Sequence, residues 1–178
     1  MKRLSLALLV LFATLAGLCL AGVRINTTPS VPVGLYWLTD RPATKGALAA
    51  FCPPKERVFL EAVGRGYLGP GFCPAGSIPL IKHVAALPGD FVQIEPSGVE
   101  INNQALPNSR QIKADPLGRP LPALRFVGIV PKGQVLLMAN ENRFSFDGRY
   151  FGLVSSQNLF GSLTPLWLFP GTIRGFFS

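Results

Sequence analysis

Four side chains of this 178-residue chain could carry acyl-transfer chemistry, and they lie in three separate stretches of it: Ser30, Lys82, and Ser145 with Asp147. A serine hydroxyl is a weak nucleophile until a base takes its proton. Ser30 lies in TTPSVPVGLYW, where Pro29 and Pro32 push Thr28 and Val31 away from helix and leave the serine on a stiff, extended or turned backbone. Lys82 lies in SIPLIKHVAALPGD. In a strand, period-two alternation puts Ile78, Leu80, Lys82 and Val84 on one face and points the ammonium into apolar surface. An ordinary lysine is protonated at neutral pH and cannot act as a base, whereas a desolvated one can. In ANENRFSFDGRYFGLV, Ser145 and Asp147 are two apart, so in extended chain they share a face that could hold a lysine, with Arg143 and Arg149 flanking them. Each segment alone also has a plainer reading: a turn serine, a lysine stem lying on apolar surface with its head in water, and a polar turn with an Asp–Arg pair. His83 is the single histidine and faces away from Lys82, as a satisfied surface residue would; a histidine-rich metal site is excluded.

The elements that must position these residues read as short strands. Apolar runs of four to eight residues recur between Gly and Pro breaks, which predicts a mainly β domain with strands near 46–51, 77–87, 90–95, 98–102, 124–130, 133–139, 149–154 and 163–169. A short helix is expected near 155–161. Residues 53–76, with PPKER and GRGYLGPG, read as an excursion, and residues 103–123, with four prolines, as a long loop. Repeats, heptads and Gly-rich phosphate loops are missing, so solenoid, coiled-coil and nucleotide-binding readings fall away.

Residues 4–23 carry no charge, close to the ~20 apolar residues a helix needs to cross a bilayer. Lys2 and Arg3 before them predict a cytoplasmic N-terminus and an extracytoplasmic remainder. The expected organisation is a membrane anchor or uncleaved signal over 1–23 and one extracytoplasmic domain over 24–178. Leu18 stands where a lipoprotein signal wants a small residue, so Cys19 reads as part of the span. Cys52 and Cys73 lie outside it in FCPP and GFCPAG, and an extracytoplasmic pair favours a disulfide over two buried thiols. The formal charge of +8 is scattered without clusters or interleaved aromatics, so no nucleic-acid partner is expected.

Together the segments resemble the signal peptidase family of serine/lysine proteases. The likeness rests on Ser30-Val31-Pro32, the Lys45-Gly46 strand start, Lys82 followed by LPGD at 87–90, and Ser145-Phe146-Asp147-Gly148-Arg149, in that order. VEINNQAL is similar to the family's hairpin, and GSLTPLW to its tail. INTTPSVPVGLYW, FCPP and DGRYFG are most similar to the TraF-type peptidases of conjugative transfer. The chain departs from general signal peptidases at Val31, where they have methionine, and at Gly148, where they have serine. Their last stretch also has one more residue between the arginine and the serine, and Asn140-Glu141-Asn142 stands for their Gly-Asp-Asn. These departures point to the specialised branch.

The resemblance implies a fold of coiled antiparallel sheets behind one N-terminal transmembrane helix. It implies Ser30 as nucleophile, Lys82 as general base, and the Ser30 N–H with Thr28 as oxyanion donors. Ser145 would orient Lys82, and Arg149 would support the site. Asp147 would act through Arg149 in general signal peptidases and more directly in the TraF type. No cofactor or metal is implied. The expected activity is maturation of an exported pilin precursor at the bacterial inner membrane, with the catalytic domain in the periplasm beside other conjugative transfer components. Water as acceptor gives hydrolysis; the pilin's own N-terminal amine gives a cyclic product. The alternatives are a noncatalytic β-rich assembly protein of a pilus or secretion machine, and a general signal peptidase.

Overall fold

The structure, a computed structural model, describes residues 2–139 and 141–170, without the side chains of Lys2 and Arg3; Asn140 and the end of the expected domain, 171–178, lie outside the described residues. The elements run α1 (Lys2–Leu20), β1 (Val23–Asn26), β2 (Gly34–Thr39), β3 (Leu48–Phe51), α2 (Arg57–Gly64), β4 (Leu80–Ala86), β5 (Phe91–Glu95), β6 (Gly98–Ile101), β7 (Gln104–Ala105), β8 (Phe126–Ile129), β9 (Gln134–Met138), α3 (Gly148–Phe151), β10 (Leu153–Ser155) and β11 (Leu159–Leu168). The expected mainly β class is observed, with every strand pairing antiparallel.

One sheet has seven strands in the order β1-β2-β11-β3-β4-β9-β10, and a second has four in the order β7-β6-β5-β8. β4 and β9 lie side by side in the large sheet, and their alternation explains both cores. Leu80, Val84 and Leu137 pack with Phe51, Phe59 and Ala62 on one face. Ala86, Leu136 and Met138 pack with Val92, Ile94 and Val130 on the other, where the small sheet covers them. A register shift between Val84 and Ala86 lets one strand serve both. β9 is therefore apolar on both sides, as a strand buried on two faces must be. In the β6–β7 hairpin, Asn102 and Asn103 both take positive φ (51° and 64°), which a two-residue turn between twisted strands requires.

Several expectations need correction. The strand expected at 149–154 begins as the short helix α3, because Asp147 caps it by accepting from the Arg149 N–H, and only Leu153–Ser155 is extended. The helix expected near 155–161 is a single 3-10 turn, Ser156–Asn158, and the strand expected from 163 starts at Leu159. The 53–76 excursion contains α2, whose Phe59 and Ala62 are its buried face. β1 and β2 were not anticipated. α1 presents Leu4, Leu8, Leu11, Phe12, Leu15 and Leu18 as exposed side chains. Among the described residues no helix is long and apolar enough to cross a membrane, so the fold does not establish the expected anchor.

Gly148 marks a close approach of α3 to β9. A Cβ there would stand 2.6 Å from Leu136 Cδ1 and 2.7 Å from the Leu137 carbonyl oxygen. The backbone oxygen cannot move without breaking the sheet, so overpacking of this kind costs about 1–3 kcal/mol. Gly148→Ser is expected to lower stability by at least that much in urea unfolding, and an unchanged midpoint would contradict this packing.

Candidate active site

The loop between β1 and β2 carries Ser30, and Asn26 at the end of β1 shapes it. The Asn26 side-chain amide donates to the carbonyls of Thr28 (2.9 Å), Val31 (3.1 Å) and Pro32 (3.1 Å). Its Oδ1 accepts from the Thr28 N–H (3.1 Å) and the Thr28 hydroxyl (2.9 Å). One buried amide thus satisfies the polar groups of a loop that two prolines keep out of regular structure. Val31 is fully buried beneath it, and Tyr36 of β2 donates its hydroxyl to the Pro32 carbonyl.

Lys82 is central in β4, where Leu80, Lys82, Val84 and Ala86 are buried and the residues between them half-buried. The predicted alternation holds for Leu80, Lys82 and Val84, with Lys82 2% exposed, while Ile78 precedes the strand and is half-buried. Burial is the largest influence on the Lys82 ammonium and pulls its pKa from 10.5 down to about 8. Asp147 and Glu141 pull it up, and Arg149 pushes it down. Lys82 Nζ donates to Ser145 Oγ at 2.6 Å, and Ser145 Oγ donates to Ser30 Oγ at 3.2 Å. The three residues, from three separate segments, form one hydrogen-bonded chain.

Ser145 and Asp147 do not share an extended face. They lie in a turn-rich segment between β9 and α3, and they point to different partners. Both Asp147 oxygens bind Arg149: Oδ1 accepts from Nε and Oδ2 from Nη2, each at 2.8 Å. Asp147 also accepts from the Ala139 N–H at 2.9 Å. Arg149, fully buried, gives Nη1 to the carbonyls of Asn108 (2.6 Å) and Arg143 (3.0 Å). This pair fixes the backbone on either side of Ser145. Asn142 ties that backbone to the Ser30 loop: its side chain donates to the Pro29 carbonyl (3.1 Å) and accepts from the Phe144 N–H (2.9 Å).

A cleft opens at Ser30, Lys82 and Ser145, and Thr28, Ile78, Pro79 and Leu80 also line it. The Thr28 hydroxyl lies at the cleft but donates to Asn26. Val84 spends its N–H and C=O toward β3, on Ala47 and Gly46. By alternation Lys82 does the same, and the polar groups of Ile81 face the opposite side. Among the described residues β9 pairs with β4 only from His83 onward, which leaves Ile81 on an open strand edge. His83 is on the other face, between the Gly46 carbonyl and Glu141 Oε1 (2.8 Å), and the Glu141 hydrogen bond raises its pKa. Lys45 pairs with Asp90 at 2.8 Å, which joins two of the motifs away from the cleft. Cys52 and Cys73 form the expected disulfide at the base of the α2 excursion. Among the described residues no group of three or more His, Cys, Asp or Glu is placed to hold a metal ion.

A family model described as "Signal peptidase, peptidase S26" matches residues 1–167. The chain belongs to the S26 signal peptidase family. It is similar to a "Plasmid transfer protein TraF" of Escherichia coli, at 46% identity over 148 residues covering 83% of this chain and 84% of that one. A "Conjugal transfer protein TraF" of Agrobacterium fabrum is 39% identical over 159 residues, covering 88% of each. Among solved structures, a signal peptidase I from Enterococcus faecalis aligns with a TM-score of 0.41 at 18% identity, over 71% of this chain and 100% of that one. For this S26 chain, Asn26 and Asn142 are the site residues that sequence reasoning missed. An asparagine beside Thr-Thr-Pro signals a turn, but nothing in sequence signals which carbonyls it will hold.

The burial of Lys82 predicts a pH signature in stability. The folded state prefers the neutral amine, so the penalty is complete below pH 8 and vanishes as pH rises through the unfolded value near 10.5. The shift corresponds to roughly 3 kcal/mol. The stability advantage of Lys82→Met over the parent should shrink by about that amount between pH 7 and pH 10.5 in urea unfolding. A gap independent of pH would mean that Lys82 is solvated.

Proposed function

We propose that this S26 family member is a membrane-anchored serine endopeptidase in which Ser30 attacks and Lys82 serves as its base. The observation that carries the reading is the Lys82–Ser145–Ser30 chain, with the lysine buried. With Lys82 neutral, both hydrogen bonds can reverse. Ser30 O–H then donates to Ser145 Oγ, and Ser145 O–H donates to the lone pair on Lys82 Nζ. As Ser30 Oγ bonds to the substrate carbonyl carbon, its proton passes to Ser145, whose own proton goes to Lys82. The resulting ammonium returns a proton to the leaving amine, and the peptide C–N bond breaks. The Ser30 N–H stabilises the oxyanion, joined by the Thr28 hydroxyl if it rotates from Asn26. The open edge at Ile81 suits an extended substrate that adds as a strand, with side chains entering the cleft. Asp147 acts through Arg149 by holding the Ser145 segment, and this arrangement favours a positioning role over direct proton transfer.

The TraF relatives support conjugative transfer as the setting, and the substrate proposed within it is an exported pilin precursor. The uncharged run at 4–23 with Lys2 and Arg3 before it supports an inner-membrane anchor and a periplasmic domain. The acyl-enzyme has two fates: water gives a linear product, and the pilin's own amine gives a cyclic one. Water is abundant, so cyclisation requires an oriented amine and partial exclusion of water, which the apolar lining near Ile78 and Leu80 supports.

Ser30→Ala and Lys82→Ala are expected to abolish processing while the protein stays folded, and Lys82→Arg to fail as well, because arginine keeps its proton. Parental activity should rise with pH to a plateau above about 8, where Lys82 is neutral. Mass spectrometry of the pilin product reads the outcome: a cyclic product is one water lighter than the cleaved linear chain. Processing that survives either alanine substitution points instead to a noncatalytic assembly protein.

A further inference from the structure

Two excursions from the sheets meet over the cleft, and a compact polar cluster joins them. Tyr67 follows α2, and Asp115 and Arg119 belong to the loop between β7 and β8. The Tyr67 hydroxyl donates to Asp115 Oδ2 at 2.6 Å, and Arg119 Nε donates to the same oxygen at 2.6 Å. Asp115 Oδ1 accepts from the N–H groups of Leu117 and Arg119 at 3.0 and 2.8 Å. The Arg119 guanidinium lies over the Tyr67 ring at 5.5 Å and also donates to the Arg65 carbonyl at 3.0 Å. Arg65 returns a hydrogen bond to the Pro120 carbonyl at 2.9 Å. Bonds cross between the excursions in both directions, and the disulfide fixes the base of the first.

The clamp is also tied to the reacting segment. Tyr150 accepts the Ile112 N–H at 3.0 Å, and the Tyr67 ring lies 6.0 Å from that of Phe146, the residue after Ser145. Tyr67, Ile112, Leu121, Phe146 and Tyr150 line the same cleft as Ser30 and form one wall of it. The acid in that wall, Asp115, is buried and takes four hydrogen bonds, so the wall offers an entering group apolar surface rather than a free charge.

We propose that Tyr67, held by Asp115 and Arg119, is the specificity-determining wall of this cleft, and that the wall admits an apolar side chain of an extended peptide and limits its size. The inference deepens the endopeptidase reading and rests on it for the position of the scissile bond. A ring held at its hydroxyl by Asp115 and over its face by Arg119 resists swinging aside, so its position sets the depth available. Removing the ring deepens the cleft, and enlarging Leu121 makes it shallower.

The test uses a positional-scanning library of blocked decapeptides, with cleavage followed by mass spectrometry on the full chain and its Tyr67→Ala, Tyr67→Phe and Leu121→Trp variants. Tyr67→Ala is expected to shift the preferred side chain at one position toward larger apolar residues, by about tenfold or more in relative kcat/KM. Leu121→Trp should shift it toward smaller ones, so the test does not hang on the folding of a single variant. Tyr67→Phe keeps the ring and its Arg119 contact but loses the Asp115 bond, so its ranking should shift in the same direction as that of Tyr67→Ala and by less. In parallel, Ser30→Ala protein carrying each change is used to select peptides from the same library by affinity. The same shifts in selected peptides without cleavage by the parent would uphold the wall and overturn the endopeptidase reading. Cleavage or selection with an unchanged ranking in both Tyr67→Ala and Leu121→Trp overturns the wall, as does a parent that selects no apolar side chain.

Discussion

The Arg149–Asp147 pair is the constraint on which the site depends. Both side chains are fully buried, and a charge in that position is tolerated only when it is paired and its remaining hydrogen-bonding capacity is used. Arg149 uses that capacity on the carbonyls of Asn108 and Arg143, and Asp147 on the N–H at the end of β9. The segment holding Ser145 therefore has little freedom once the pair forms. Removing one partner would leave an uncompensated buried charge, a loss of roughly 3–5 kcal/mol, and would release Ser145 from its place between Ser30 and Lys82.

The pair also leaves the charge of Lys82 to be set chiefly by burial. An unpaired carboxylate at Asp147 would favour the ammonium and hold the lysine protonated. Arg149 answers that carboxylate at 2.8 Å through two bonds, so the two influences on Lys82 oppose one another and desolvation dominates. The lysine is left with a serine as its hydrogen-bond partner rather than a carboxylate. A bidentate guanidinium suits this task, because its planar fork covers both oxygens while it keeps its own proton.

What was legible in the sequence follows from how local the signal is. The alternation of Leu80, Lys82 and Val84 is a property of one strand, and it placed the lysine inside correctly, although Ile78, read as part of the same face, lies before the strand. The spacing of Ser145 and Asp147 misled, because a two-residue interval has meaning only in extended chain, and Asp147 instead caps a helical turn. β1 escaped notice because VRIN is short and half polar, and it is extended through its pairing with β2. The roles of Asn26 and Asn142 depend on carbonyls brought near by folding, and Pro29 is remote in sequence from Asn142. The two excursions were visible as irregular segments, but their junction through Tyr67, Asp115 and Arg119 was not.

The place of β11 in the large sheet has a consequence for how the molecule comes into being. This late strand lies between β2 and β3, and so between the hairpin that carries Ser30 and the strands that carry Lys82. A nascent chain that has not yet produced residues 159–168 has two open edges where β11 will sit, with no continuous sheet to set one half against the other. Such a partner distant in sequence makes closure a slow, late event in folding. The meeting of Ser30, Ser145 and Lys82 is thereby coupled to the arrival of β11, so a chain that still lacks this strand has no sheet to hold the two halves of the site together.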